Sequence, residues 1–116
     1  MSTPELERQL AALRQGYAER LPERAAAIAA TAAELVRSWD PALALELQRQ
    51  LHNLAGSGAS YGFPDISLAA RAAEDACGKA LAAAAQHGPA GGASPPLDAL
   101  LSAIGTLDAA VRVGRA

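Results

Sequence analysis

The spacing of apolar residues constrains this chain more than any other feature of its sequence. Along three long stretches, leucine, isoleucine and alanine recur every three or four residues, the period that places them on one face of an α-helix. The stripes are Leu43, Leu47, Leu51 and Leu54; then Ile66, Ala69, Ala70, Ala73, Cys77 and Leu81; then Leu97, Leu100, Leu101, Ile104, Leu107 and Val111. No competing strand pattern interrupts them. The spacing therefore predicts an all-α protein.

Prolines indicate where the helices begin, because proline is tolerated at the first helical position, where its missing N–H would have had no partner. Such starts occur at Thr3-Pro4, Leu21-Pro22, Asp40-Pro41, Pro64 and Ser94-Pro95-Pro96. The Gly- and Pro-rich residues 87–96 predict a loop. Short connections favour antiparallel neighbours, so we predict an up-and-down antiparallel four-helix bundle with an additional N-terminal helical segment. The two starts before residue 40 fit either two helices or one kinked helix.

Length and composition exclude several classes of protein. A chain of 116 residues suits a single domain over 1–116, and with 51% hydrophobic but only 3% aromatic residues its core must be built mainly from alanine and leucine. A net charge of -2, with both signs mixed along the chain, offers no positive surface for nucleic acid or an anionic membrane. The polar start "MSTPELERQL" is unlike a signal peptide, and no apolar run could span a bilayer. We expect a soluble, cytoplasmic monomer.

The stretch "LHNLAGSGASYGF", residues 51–63, places His52 just before Gly56, Gly58 and Gly62. At about 100° per residue, the four leucines of the first stripe fall within an arc of about 80°, and His52 lies about 140° from its middle. His52 is therefore expected on the solvent side of its helix. Its neighbours on that side, at helical spacing, are Leu45, Gln48, Arg49, Ala55, Gly56 and Ala59.

Two interpretations of this face follow from its small residues. Small side chains let the backbone of another protein approach, and Leu45 offers apolar surface for it to cover, which predicts a docking patch around His52. Alternatively, an alanine-rich composition scatters small residues everywhere, and Gly56 and Gly58 only weaken the end of the helix.

The segment "HNLAGSGASYGFPDISLAARAAE" resembles the signature of histidine-containing phosphotransfer (HPt) domains. The matching residues are His52, Leu54, Gly56, Ser57, Ala59, Gly62, Ile66, Ala69 and Glu74. The resemblance implies a four-helix bundle in which His52 accepts a phosphoryl group from the aspartyl phosphate of a receiver domain and passes it to another. It implies response-regulator receiver domains or a hybrid histidine kinase as partners. Because the receiver brings the Mg²⁺, we expect no metal or other cofactor on this chain, which would be a phosphoryl carrier rather than an enzyme.

One departure from the family concerns positive charge beside the phosphoacceptor. Many members carry a lysine three residues after the histidine, where this sequence has Ala55. Arg49, one turn before His52, is the candidate replacement, and the alternative is a solvated surface arginine. Glu74 occupies the position where some members place a polar side chain that orients the imidazole, although it could equally be an exposed residue at the edge of its stripe.

The three glycines after His52 divide into two groups. Gly56 would keep the approach to His52 clear, whereas Gly58 and Gly62 are expected to end the helix and shape the turn before Pro64. The rival function is a non-phosphorylated helical interaction module that binds a receiver domain or kinase. A serine hydrolase is excluded because no predicted strand precedes a serine and no carboxylate is placed to orient a catalytic base.

Overall fold

The computed structural model describes residues 2–86 and 95–115, which form four α-helices. They are α1 (Thr3–Arg37), α2 (Pro41–Ser60), α3 (Pro64–Gln86) and α4 (Asp98–Arg115). Neither described range contains a β-strand. The predicted all-α bundle is thus confirmed, and most of the predicted loop over 87–96 lies outside the described residues.

The first two predicted helix starts belong to one continuous helix. Pro22 lies inside α1, where it has no N–H to donate to the preceding turn. Packing on both sides of the proline keeps the helix continuous, because buried residues recur at helical spacing across it: Tyr17, Leu21, Ala25, Ile28, Ala32 and Leu35. The predicted additional segment is therefore the first part of α1 rather than a separate helix.

The amino-terminal part of α1 contributes little to the core. At about 1.5 Å per residue, α1 is about 52 Å long and α2 about 30 Å, so α1 extends past the turn between α2 and α3. Arg14 is the residue of α1 that lies beside this turn, because its guanidinium donates a hydrogen bond of 3.3 Å to the carbonyl of Gly62. Residues 2–15 are exposed, including the leucines Leu6, Leu10 and Leu13. Burial of the apolar stripe starts at Tyr17.

Each helix packs against its neighbour in sequence, and α4 packs against α1, which closes the bundle. Helices α2 and α3 are antiparallel: the Cys77 thiol donates to the carbonyl of Ala44 at 3.3 Å, and the Ser67 hydroxyl to that of Ala55 at 2.7 Å. Burial raises the pKa of the Cys77 thiol, so it stays protonated as a core residue.

The connections on either side of α2 fix its position. Asp40 caps its start, because the Asp40 carboxylate accepts a 3.0 Å hydrogen bond from the backbone N–H of Ala42. Gly62 follows its end with a φ of 83°, and the N–H groups of Gly62 and Phe63 donate back to Ala59 and Gly58 at 3.3 and 2.7 Å. This is a Schellman motif, which needs a left-handed residue where glycine stands.

Gly58 does not end the helix, contrary to the sequence prediction. It is buried inside α2, and a Cβ atom there would lie 3.3 Å from the backbone nitrogen of Ser67 on α3. The absence of a side chain therefore lets the backbones of α2 and α3 approach closely. Gly62 alone supplies the turn that the sequence assigned to both glycines.

Candidate functional site

His52 is presented to solvent by α2. Leu47, Leu51 and Leu54 are fully buried on the opposite side of the helix, which leaves the His52 side chain 73% exposed. Its Nδ1 atom lies 2.8 Å from Oε2 of Glu74 on α3. An ionised carboxylate can only accept, so in the neutral imidazole Nδ1 carries the hydrogen and Nε2 the lone pair. Nε2 makes no hydrogen bond with any residue in the described ranges.

The register of α2 against α3 brings His52 and Glu74 together. One turn earlier on α2, the Gln48 amide nitrogen lies 3.1 Å from where a Cβ of Gly78 would be, and Gly78 is one turn later on α3. Moving one turn toward the C-terminus of α2 therefore corresponds to moving one turn toward the N-terminus of α3. Glu74 lies at the edge of the interface between α2 and α3, which we call the seam. Its side chain is only 24% exposed, and its carboxylate contacts the imidazole there. Gln48 is half-buried in the same seam.

The face predicted around His52 is present with one correction. Leu45 is 57% exposed, and Gly56 and Ala59 are also exposed; a Cβ added at Gly56 would meet no atom within 4 Å. Ala55, in contrast, is 3% exposed. It lies toward α3, where its carbonyl accepts the hydrogen bond from Ser67, so it belongs to the helix interface and not to the docking face.

Arg49 is exposed near His52 in sequence but is bound to a carboxylate of its own helix. Its Nε and Nη2 atoms donate to the two oxygens of Glu46 at 3.0 and 2.5 Å. These hydrogen bonds lower the pKa of Glu46 and raise that of Arg49 further, so both groups remain charged. The structure therefore pairs the predicted cation with Glu46, and no hydrogen bond or ion pair joins it to His52.

Comparison with protein-family models matches residues 4–110 to the Hpt domain. The chain belongs to the Hpt domain family. The match reaches into all four helices, and the resemblance noted in the sequence is confirmed. Searches of curated proteins and of solved structures gave no match. Hpt domains are phosphocarrier modules of two-component signalling that interact with receiver domains and kinases, and they are not classical enzymes.

Among residues 2–86 and 95–115, no three His, Cys, Asp or Glu side chains are grouped closely enough to hold a metal ion. Within the same part of the chain, every helix is too short or too polar to cross a membrane.

Sequence reasoning missed the contribution of α3 beyond Glu74. Gly78 faces Gln48 across the seam, and Arg71 lies one turn before Glu74 on the same side of α3. The spacing from Glu74 was the available signal, since residues three and four positions away share its face. It could be used only once Glu74 was known to contact His52.

The serine of the Gly-Ser pair in this Hpt domain joins α2 to α1. The Ser57 hydroxyl lies 2.8 Å from the Tyr17 hydroxyl and accepts a 3.2 Å hydrogen bond from Arg24. Tyr17 in turn stacks on Tyr61, with ring centroids 4.5 Å apart. Ser57, five residues after His52, thus attaches α2 to α1. Its side chain is not part of the exposed face around His52.

Replacing Ser57 by alanine is expected to destabilise the fold. The change leaves the part-buried Tyr17 hydroxyl and one Arg24 donor without their partner, which costs about 1–3 kcal/mol. Urea unfolding followed by circular dichroism measures this loss. The matched control is Ser60→Ala, because Ser60 is exposed on the same helix and its side chain's one hydrogen bond within the described residues is to the Gly56 carbonyl; its effect should stay within about 0.5 kcal/mol. Equal effects of the two variants would contradict the anchoring role.

Proposed function

We propose that this Hpt domain carries a phosphoryl group on His52 in a phosphorelay. It accepts the group from the aspartyl phosphate of a response-regulator receiver domain and passes it to another receiver domain, in the cytoplasm. The observation that supports this most strongly is the environment of the imidazole. The His52 side chain is 73% exposed, and its Nδ1 atom is hydrogen-bonded to the Glu74 carboxylate at 2.8 Å. Nε2 is thereby the nucleophilic nitrogen, on the face open to a partner.

The transfer needs no general base, because no proton has to be removed from the attacking nitrogen. The Nε2 lone pair attacks phosphorus, the N–P bond forms, and the P–O bond to the receiver aspartate breaks with the carboxylate as leaving group. The ring keeps its Nδ1 hydrogen and becomes a phosphoimidazolium, whose positive charge lies beside the Glu74 carboxylate. In the onward step the aspartate of the next receiver attacks phosphorus, the N–P bond breaks and neutral imidazole returns. Mg²⁺ belongs to the receiver in both steps.

The surroundings of His52 leave room for such a partner. Gly56 and Ala59, one and two turns after the histidine, are exposed and small, so they do not obstruct a receiver loop that carries the aspartyl phosphate. Leu45, two turns before it, supplies exposed apolar surface for the receiver to cover. The same face therefore combines the nucleophile with a surface suited to docking.

The proposal is tested by mixing the chain with receiver domains of the source organism that carry radioactive aspartyl phosphate. We expect label to move to the chain as a phosphate that is lost in acid and kept in base, as for phosphohistidine. A chain that binds the phosphorylated receivers without acquiring label would instead be the interaction module considered above. His52 is assigned by the variant described in the Discussion.

Loss of the Glu74 carboxylate is expected to slow transfer only several-fold. Because His52 is largely exposed, its bond to Glu74 contributes up to about 1 kcal/mol, which corresponds to about fivefold in rate. Glu74→Ala should show this loss in single-turnover transfer, and Glu74→Gln, which keeps an acceptor oxygen, should show less. Asp75→Ala is the matched control, since Asp75 is exposed toward α4. A wild-type rate for Glu74→Ala would show that the contact does not assist transfer.

A further inference from the structure

Phosphorylation places charge on His52 that the α2 helix does not neutralise. A phosphoryl group adds about -1.5 to -2 units of charge, and it would stand near Glu74. Ala55, at the position where many family members carry a lysine, is a buried methyl group. Arg49 already donates to both oxygens of Glu46. A cation from another helix would therefore stabilise the phosphorylated state.

The register between α2 and α3 identifies that cation. Gln48 faces Gly78 and His52 faces Glu74, so the next step of the same register places Arg71 across from Ala55, one turn from His52. The hydrogen bond from Ser67, one turn before Arg71, to the Ala55 carbonyl shows that the first part of α3 packs along this part of α2. Arg71 is thus on the seam side of α3 that borders the phosphoacceptor.

Arg71 is also uncommitted. It is exposed, and it makes no hydrogen bond or ion pair with any residue in 2–86 or 95–115. Lys79, the other cation of α3, lines a groove between α3 and α4 with Asp75 and Ala103, away from His52. Among the described cations of α2 and α3, Arg71 alone combines a place beside His52 with free donors.

We propose that Arg71 binds the phosphoryl group on His52 and replaces, from α3, the lysine that many family members carry on the histidine helix. This inference rests on the proposed function. The planar guanidinium can donate two parallel hydrogen bonds to phosphoryl oxygens, which fixes their orientation as well as offsetting their charge. Gly56, one turn after His52, does not obstruct this side of the phosphoryl group, because a Cβ added there would meet no atom within 4 Å.

The experiment compares wild type, Arg71→Ala, Arg71→Lys and Arg49→Ala, each phosphorylated in two ways: by phosphoramidate, a small donor that needs no partner, and by a phosphorylated receiver. We expect Arg71→Ala to shorten the lifetime of phospho-His52 and to slow receiver transfer by about five- to tenfold at low salt, and by less at 1 M salt, where charges are screened. Arg71→Lys, which keeps the charge but loses the two parallel hydrogen bonds, should recover only part of the loss. Arg49→Ala should resemble wild type, and all melting temperatures should agree.

The outcomes separate this inference from the proposed function. If the wild-type chain is labelled and Arg71→Ala matches it in lifetime and rate, the Arg71 assignment is overturned and the phosphorelay role stands. A loss confined to Arg49→Ala would move the assignment to Arg49. If neither donor labels wild-type His52, the proposed function and the Arg71 assignment both fail.

Discussion

Replacement of His52 by glutamine is expected to abolish phosphorylation of this Hpt domain while leaving its fold unchanged. The amide of glutamine has no nucleophilic nitrogen, so labelling by a phosphorylated receiver should fall below detection. The side chain is 73% exposed and its one hydrogen bond in the described structure is to Glu74, which a glutamine amide can still donate to. Stability should therefore change by no more than about 0.5 kcal/mol.

The matched control is the same substitution at His87, the other histidine of the chain. His87→Gln should be labelled at the wild-type rate and to the same extent. Both variants are assayed with intact protein, with the melting temperature measured alongside. Acid-labile phosphate on His52→Gln would place the phosphoacceptor elsewhere and remove the basis of the proposed mechanism.

The part of this site that the sequence predicts is the part that one helix determines by itself. The period of Leu47, Leu51 and Leu54 defines the buried side of α2, and the exposure of His52 follows from it without knowledge of any other helix. The same reasoning misplaced Ala55, which is 60° from His52 on the helix but is covered by α3. Helical spacing gives the direction of each side chain around the helix axis. Which of those directions are exposed depends on the helices that pack against it.

Helical periodicity does not predict contacts between helices, and the place of Glu74 beside His52 followed only from the resemblance to HPt domains. The spacing within α3 does not reveal that Glu74 meets His52, because that contact depends on how far α3 is shifted along α2. The shift is set by Gly58, which allows close approach, and by the turn at Gly62. The continuous α1 is a related case, since the local cost of Pro22 is outweighed by the buried residues on both sides of it.

Gly56 and Gly58 are expected to respond in opposite ways to the same substitution. At Gly56 an added side chain enters open space, so Gly56→Gln should leave stability unchanged or raise it by up to about 1 kcal/mol through better helix propensity. The glutamine would stand one turn from His52 on the docking face. We expect receiver transfer to slow by about tenfold or more, which corresponds to about 1.4 kcal/mol at the transition state.

At Gly58 the same side chain is crowded by the backbone of the next segment, because the Cβ position alone is 3.3 Å from the Ser67 nitrogen and 3.5 Å from the Phe63 carbonyl oxygen. Forcing α2 and α3 apart costs about 1–3 kcal/mol, so Gly58→Gln should lower the melting temperature by about 5–20 °C. Its transfer rate, measured well below that temperature, should fall less than that of Gly56→Gln. Thermal melts and single-turnover transfer on both variants test this crossover. If Gly56→Gln lost stability but kept its transfer rate, Gly56 would have a structural role, and the unoccupied space beside His52 would have no role in docking.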